Sequence, residues 1–182
     1  MNCINTEIEG VFIIEPSVFK DHRGYFFESF SERVFREQVA DVRFVQDNES
    51  KSVYGVLRGL HYQTGEFAQA KLVHVIQGRV LDVAVDLRKS SPTFAKYVAV
   101  ELSDENKRQL FVPRGFAHGF VVLSPTALFQ YKCDNYYAPG KEASLRYNDP
   151  AVGIDWGVEA AGLILSEKDK NAPFLKDAIL FD

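Results

Sequence analysis

The stretch Lys71-Leu72-Val73-His74-Val75-Ile76-Gln77-Gly78-Arg79-Val80-Leu81-Asp82-Val83-Ala84-Val85-Asp86-Leu87 decides the fold class. From Leu81 to Leu87 the odd positions are aliphatic and the even ones small or acidic. Side chains alternate across a strand, so this period of two predicts a strand with one buried face. Lys71 to Ile76 predicts another strand, with His74 on the face opposite Val73 and Val75, and Gln77-Gly78-Arg79 reads as a hairpin turn between the two. Outward from this pair, further strand-like runs cover 11–14, 25–30, 42–45, 97–102, 109–112, 119–123 and 127–132. Turn signals separate them, among them Asp21-His22-Arg23-Gly24, Pro113-Arg114-Gly115 and Ala138-Pro139-Gly140. Helix is scarce. Ser31 is placed to cap a short helix over 32–40, and Ser166-Glu167-Lys168-Asp169 has the form of a capping box. About ten short strands with two minor helices predict an all-β sandwich or barrel, for which a jelly roll is a common solution.

Composition agrees and narrows the function classes. The chain has 182 residues, 46% of them apolar and 25% charged. That length and balance predict one domain spanning 1–182, with a core that needs no staples. Phe occurs 15 times and Tyr 8 times against one Trp and one Met, an aromatic content suited to strands. A net charge of −4 argues against nucleic-acid or anionic-membrane binding, while local basic residues could still hold a small anion. Two cysteines, Cys3 and Cys133, make no disulfide framework and point to the cytoplasm. No apolar run reaches membrane-spanning length, and the first residues lack the pattern of a signal peptide.

Two short segments carry the chemistry. The first runs Gly55-Val56-Leu57-Arg58-Gly59-Leu60-His61-Tyr62-Gln63 and continues to Lys71 and Gly78; the second is Pro113-Arg114-Gly115-Phe116-Ala117-His118-Gly119-Phe120. Together they resemble the paired motifs of the cupin superfamily, which implies a small β jelly roll. In metal-binding cupins the matching positions supply three His and one Glu. Here they are His61, Gln63, Lys71 and His118. An ammonium at a ligand position repels a divalent cation, so a metal-free cupin without a cofactor is expected.

A closer resemblance covers nearly the whole chain. Phe19-Lys20-Asp21-His22-Arg23-Gly24-Tyr25-Phe26-Phe27-Glu28, Val45-Gln46-Asp47-Asn48-Glu49-Ser50, Leu57 to Gln63, Pro113 to Phe120, Tyr131-Lys132-Cys133-Asp134-Asn135-Tyr136-Tyr137 and Leu165 to Asp169 together look like the dTDP-4-dehydrorhamnose 3,5-epimerase family. That resemblance implies inversion of C3 and C5 of dTDP-4-dehydro-6-deoxy-D-glucose, giving dTDP-4-dehydro-L-rhamnose. Both carbons flank the C4 ketone, so the reaction needs a base, a charge facing the enolate oxygen and an acid on the opposite ring face. By the same resemblance His61 is the base, Asp169 its acidic partner, Lys71 the enolate-stabilising cation and Tyr131 the proton donor. Arg23, Glu28, Gln46, Asp47, Asn48, Arg58, Lys71, His118, Glu142 and Lys168 match positions that hold the dTDP or the sugar. Tyr137 matches an aromatic residue that stacks on the thymine. A homodimer is implied, with the N-terminal segment of one chain completing its partner's nucleotide site.

Each residue also has a plainer reading. Asp169 sits where a capping residue would, Lys71 where an exposed strand-end lysine would, and Tyr131 where a packed strand tyrosine would. Arg23 belongs to a turn, Glu142 to a loop where a solvated charge is ordinary, and Asp47 could merely hold the backbone between Gln46 and Asn48. A cationic neighbourhood around Tyr131 would lower its high phenol pKa. Arg58 lies three residues from His61, which alternation assigns to opposite strand faces unless a bulge intervenes at Gly59. Two other functions stay open at this point: a relative inverting only C3 or only C5, and a non-catalytic nucleotide-sugar-binding cupin. A metal-dependent dioxygenase is more distant.

Overall fold

In the computed structural model, which describes residues 1–182, thirteen strands and two short α-helices follow one another along the chain. The strands are β1 (Asn2–Asn5), β2 (Phe12–Glu15), β3 (Phe19–Asp21), β4 (Gly24–Phe26), β5 (Gln46–Val53), β6 (Leu57–Gln63), β7 (Lys71–Gln77), β8 (Arg79–Asp86), β9 (Tyr97–Ser103), β10 (Gln109–Val112), β11 (Phe116–Val122), β12 (Thr126–Cys133) and β13 (Glu142–Ser144). The helices are α1 (Glu32–Gln38) and α2 (Glu167–Lys170). A six-stranded sheet, β1-β2-β10-β7-β12-β5, faces a five-stranded sheet, β13-β6-β11-β8-β9. The result is the expected all-β jelly-roll sandwich. β3 and β4 pair only with each other, as a separate arm. No helix is long and apolar enough to cross a membrane.

Three apolar clusters hold the layers. Val73, Val75, Val80, Ala84, Leu110, Phe120 and Phe129 pack between the sheets. Leu57, Leu60, Val83, Val85, Leu87, Leu145 and Trp156 pack on the outer face of the five-stranded sheet, beneath the chain that follows β13. Ile14, Phe35, Leu72 and Phe111 pack on the outer face of the six-stranded sheet, where α1 covers it. A Phe→Ala change at Phe129, fully enclosed between the sheets, should cost about 3–5 kcal/mol.

The stretch 71–87 is two strands, as its alternation predicts, but their relation differs. β7 and β8 belong to opposite sheets and do not pair with each other. The bend at Gly78 carries the chain across the sandwich instead of turning a hairpin. Gly78 has φ +84°, and a Cβ there would lie 2.1 Å from the Thr126 carbonyl oxygen, so glycine is required. The expected single buried face of β8 is also corrected. Val83, Val85 and Leu87 face outward against the C-terminal segment, while Ala84 faces the interior. Asp82 and Asp86 share the interior face and are fully buried. Asp86 is matched by Arg88, Ser91 and Thr93.

Other expectations shift in instructive ways. The run 42–45 is no strand: Val42 and Phe44 pack against the α1 cluster, and pairing starts at Gln46. The run 25–30 is a strand only through Phe26, and Phe30 turns in against Phe35. The helix after Ser31 ends at Gln38, and Ser31 makes no side-chain cap bond. Half of the capping box at Ser166 is present: its Oγ accepts from the Asp169 N–H, but Asp169 Oδ2 accepts from that same hydroxyl and not from the Ser166 backbone N–H.

Candidate active site

One open cleft of about 800 Å³ enters the sandwich between the sheets. Its floor is a stacked aromatic pair, Phe120 from β11 over Phe129 from β12, with ring centroids 4.1 Å apart. Its two walls come from different sheets. The five-stranded sheet contributes Arg58, His61, His118 and Glu142. The six-stranded sheet contributes Gln46, Asn48, Lys71, Tyr131 and Cys133.

The first wall depends on an irregularity. His118 and Phe120 are two apart along β11, yet their partners on β6, His61 and Arg58, are three apart. This bulge puts Arg58 and His61 on the same inner face, against simple alternation. Gly59 makes it possible. Its φ is +137°, and a Cβ there would lie 2.6 Å from the Gly119 Cα. Arg58 is exposed on this wall, and its Nε donates to Ser52 Oγ at 3.0 Å, which fixes the guanidinium.

His61 Nε2 lies 2.5 Å from Asp169 Oδ1. The carboxylate accepts, so Nε2 carries a proton in this pair, and in the neutral tautomer Nδ1 holds the lone pair. The Asp169 side chain is only 5% exposed against 36% for His61. Burial alone would push its carboxyl up. The bonds from His61 and Ser166, with the charges of His61 and Lys168, outweigh that and hold it below the ordinary carboxylate range. Ser166 is the capping residue, and Asp169 serves both it and His61: Oδ2 accepts from the Ser166 hydroxyl while Oδ1 pairs with His61.

Lys71 is not an exposed strand-end lysine. Its Nζ lies inside the cleft, 3.4 Å from the His61 carbonyl oxygen and 5.9 Å from the centre of the Tyr131 ring. Burial lowers its pKa, opposed by Cys133 and by the carboxylate of Asp82. Across from His61, Tyr131 shares the inner face of β12 with Phe129 and Cys133. Its pKa is raised, not lowered: burial outweighs the opposing charge of Arg58. The phenol therefore keeps its proton near neutrality. Burial likewise pushes the Cys133 thiol up to about 11.

Gln46 and Asn48 line the outer part of the same wall, with Gln46 Nε2 donating to Asn48 Oδ1 at 3.0 Å. Gln46 Oε1 also accepts from the Tyr137 N–H at 3.1 Å, and Tyr137 stands at the cleft mouth. His118 is nearly enclosed, with Nε2 at 2.9 Å from both oxygens of Asp82. Glu142 lines the rim and pairs with Lys168 at 2.9 Å.

Three residues singled out from the sequence lie elsewhere in the chain's own fold. Asp47 points to the opposite face of β5 and pairs with Lys132. Arg23 and Glu28 lie on and just beyond the β3–β4 arm, away from the cleft, and Arg23 pairs with Asp21. Conversely, Asp82 does not stand out in the sequence as a site residue. Its only signal there is an acid on the small-residue face of β8. No group of three or more His, Cys, Asp and Glu side chains is arranged to hold a metal ion. At the four cupin ligand positions, the Gln63 amide and the Lys71 ammonium are committed to carbonyl contacts.

Known proteins resemble the chain along its length. A family model described as dTDP-4-dehydrorhamnose 3,5-epimerase matches residues 5–177. The dTDP-4-dehydrorhamnose 3,5-epimerase of Shigella flexneri is 55% identical over 182 residues, which is 100% of this chain and 99% of that protein. The crystal structure of dTDP-4-dehydrorhamnose 3,5-epimerase from Elizabethkingia anophelis superimposes with a TM-score of 0.93 at 57% identity, covering 97% of each chain. A second crystal structure, dTDP-6-deoxy-D-glucose-3,5-epimerase from Legionella pneumophila in complex with dTDP-4-keto-L-rhamnose, gives a TM-score of 0.93 at 52% identity. It covers 97% of this chain and 93% of that one.

Proposed function

The chain belongs to the dTDP-4-dehydrorhamnose 3,5-epimerase family, and from that premise we propose how its cleft carries out the reaction. The activity is isomerisation of dTDP-4-dehydro-6-deoxy-D-glucose at C3 and C5 to dTDP-4-dehydro-L-rhamnose. One observation carries the assignment of roles. A carboxylate-bound imidazole stands on one sheet and a protonated phenol on the other, with an ammonium beside both.

The sugar enters between the walls with its C4 ketone toward Lys71. His61 Nδ1 takes the proton from the carbon next to the ketone. The C–H electron pair moves into the ring and the carbonyl π pair moves to oxygen, where the Lys71 ammonium faces the enolate charge. Asp169 stabilises the imidazolium. Tyr131 returns a proton from the other face, which inverts the centre, and solvent restores both groups. A second round at the other flanking carbon completes the change. An acid that holds its proton until an enolate forms beside it suits this step, so the raised pKa of Tyr131 fits a donor.

Arg58 and His118 are read as holding the diphosphate or sugar oxygens, and Gln46, Asn48, Glu142 and Lys168 as framing the outer site. Tyr137 offers its ring to the thymine. Asp47 serves this frame from the back of β5, through Lys132. Arg23 and Glu28 reach a nucleotide only in a homodimer, where the arm of one protomer enters the cleft of its partner. Phe19 and Phe26 on that arm are 66% and 72% exposed, as an arm built for exchange would be. We read residues 1–182 as one working domain acting in the cytoplasm.

Deuterium uptake tests this reading. Turnover in D2O, with the product trapped by reduction, should place deuterium at both C3 and C5. Label at one carbon would demote the enzyme to a mono-epimerase, and no label with dTDP still bound would make it a binding protein. Light scattering and rescue of an Arg23→Ala chain by a His61→Asn chain test the shared site.

A further inference from the structure

Gln63 stands at the second histidine position of the metal-binding cupin motif, yet its amide faces two loops. It is 4% exposed. Its Nε2 donates to the Phe67 carbonyl at 2.9 Å and to the Tyr136 carbonyl at 3.1 Å. Its Oε1 accepts from the Ala138 N–H at 2.7 Å. Both donors and an acceptor lone pair are used, which leaves the amide little freedom to turn. The bonds to Tyr136 and Ala138 bracket Tyr137 on both sides. The bracketed residue is itself 53% exposed at the mouth of the cleft. The Tyr137 N–H is taken by Gln46 Oε1. Both peptide units that flank Tyr137 are therefore tied to the sandwich by two glutamines, and the ring projects from between them.

The other loop, which follows β6, is stitched to the same segment. Gln69 Nε2 donates to the Asn135 carbonyl at 2.7 Å, and Asn135 Nδ2 donates to the Glu66 carbonyl at 2.9 Å. These side chains lie nearer the surface. Gln63 is the enclosed one that joins both loops to β6. A half-exposed aromatic ring loses less binding energy to ordering when its position is fixed before the ligand arrives.

We propose that Gln63 is a positioning residue for nucleotide capture: its buried amide fixes the backbone on either side of Tyr137 and so presets that ring for the base. The inference rests on the reading of Tyr137 as the base-stacking residue. Gln63 lines the cleft wall, but its amide is taken up by the two loops, so it acts on the base through Tyr137. Its loss should act on affinity and leave the proton transfers alone.

The test compares Gln63→Leu, Tyr137→Ala and the double variant, measuring dTDP Kd by calorimetry and kcat and KM with the natural substrate. Gln63→Leu should weaken dTDP binding about 10-fold, which is roughly 1.4 kcal/mol, and raise KM in step. Its kcat should stay within about twofold, as expected when only uniform binding is lost. The double variant should bind no more weakly than Tyr137→Ala alone, because both changes act through one ring. Unchanged Kd in Gln63→Leu beside a weakened Tyr137→Ala would overturn the proposal, as would fully additive losses or a fall in kcat at constant Kd. An unchanged Kd in Tyr137→Ala would instead remove the stacking reading on which it rests. Gln63→Glu covers the case in which the leucine variant does not fold. It keeps the acceptor for Ala138 and loses both donors when ionised. Its dTDP affinity should recover as the pH falls and the introduced acid regains a proton to donate. A flat pH response at weakened affinity would count against positioning by these bonds.

Discussion

His61 and His118 are cross-strand partners on β6 and β11, and each directs Nε2 at a carboxylate. The side chains of the first pair are 36% and 5% exposed, those of the second 7% and 0%. The carboxylates also differ in origin. Asp169 arrives on a four-residue helix from the C-terminal segment, whereas Asp82 belongs to a central strand of the sheet. The comparison teaches that identical pair chemistry is sorted by access. An imidazole with one nitrogen bound and the other open to the cleft is placed to take a proton from carbon. An imidazole clamped by both oxygens of a buried carboxylate is held in one orientation and ties two strands together.

The sharpest way to break this contrast is at His61. His61→Asn should lower kcat by about 10³-fold, within the usual range for loss of a general base, with dTDP binding nearly unchanged. Loss of dTDP binding in a folded variant would contradict its role as the base. Asp169→Asn should follow with about a 10²-fold fall, because the amide leaves the imidazolium unsupported. Asp82→Asn should behave differently. Its main cost is stability, about 2–3 kcal/mol read as a lower unfolding midpoint, with a smaller fall in kcat than Asp169→Asn gives. Equal kinetic losses at the two carboxylates, with stability intact, would erase the distinction. The mildest prediction concerns pH. Burial lowers the pKa of Lys71, so the cation that faces the enolate is lost at lower pH than for an ordinary lysine. The alkaline limb of kcat should move down accordingly, and Lys71→Arg should remove that limb while slowing turnover at neutral pH. On the acid side Asp169 is held low, so its contribution to folding is present above the ordinary carboxylate range. It is lost only as the pH falls through the depressed value.

Much of this architecture is legible in the amino-acid sequence. Alternation in 81–87 marks β8, and the spacing around His61 and His118 marks the jelly roll. What stays hidden has physical causes. β5 alternates polar against polar, with Gln46, Asn48 and Ser50 inward and Asp47, Glu49 and Lys51 outward, so no hydropathy period announces a strand. The polar inner face is what a ligand wall requires. β8 hides the reverse: its acidic face is the interior one, because the wrap after β13 buries its aliphatic face from outside. The common face of Arg58 and His61 depends on a bulge whose sign in sequence is only a glycine. Arg23 and Glu28 are singled out by resemblance alone, since nothing in the local pattern of the β3–β4 arm marks either as a site residue.

The two residues that make the open pair stand 108 positions apart, and the carboxylate is the later of the two. During synthesis β6 leaves the ribosome well before α2 exists. Until Ser166 caps its short helix and Ile164 docks beside Val56, His61 has no anion behind it. A nascent chain that has already closed its sandwich, or one nicked by a protease before residue 166, therefore presents a shaped pocket without a supported base. Full turnover is then expected of a molecule whose last wrap has been drawn tight, so its rate doubles as a readout of finished folding.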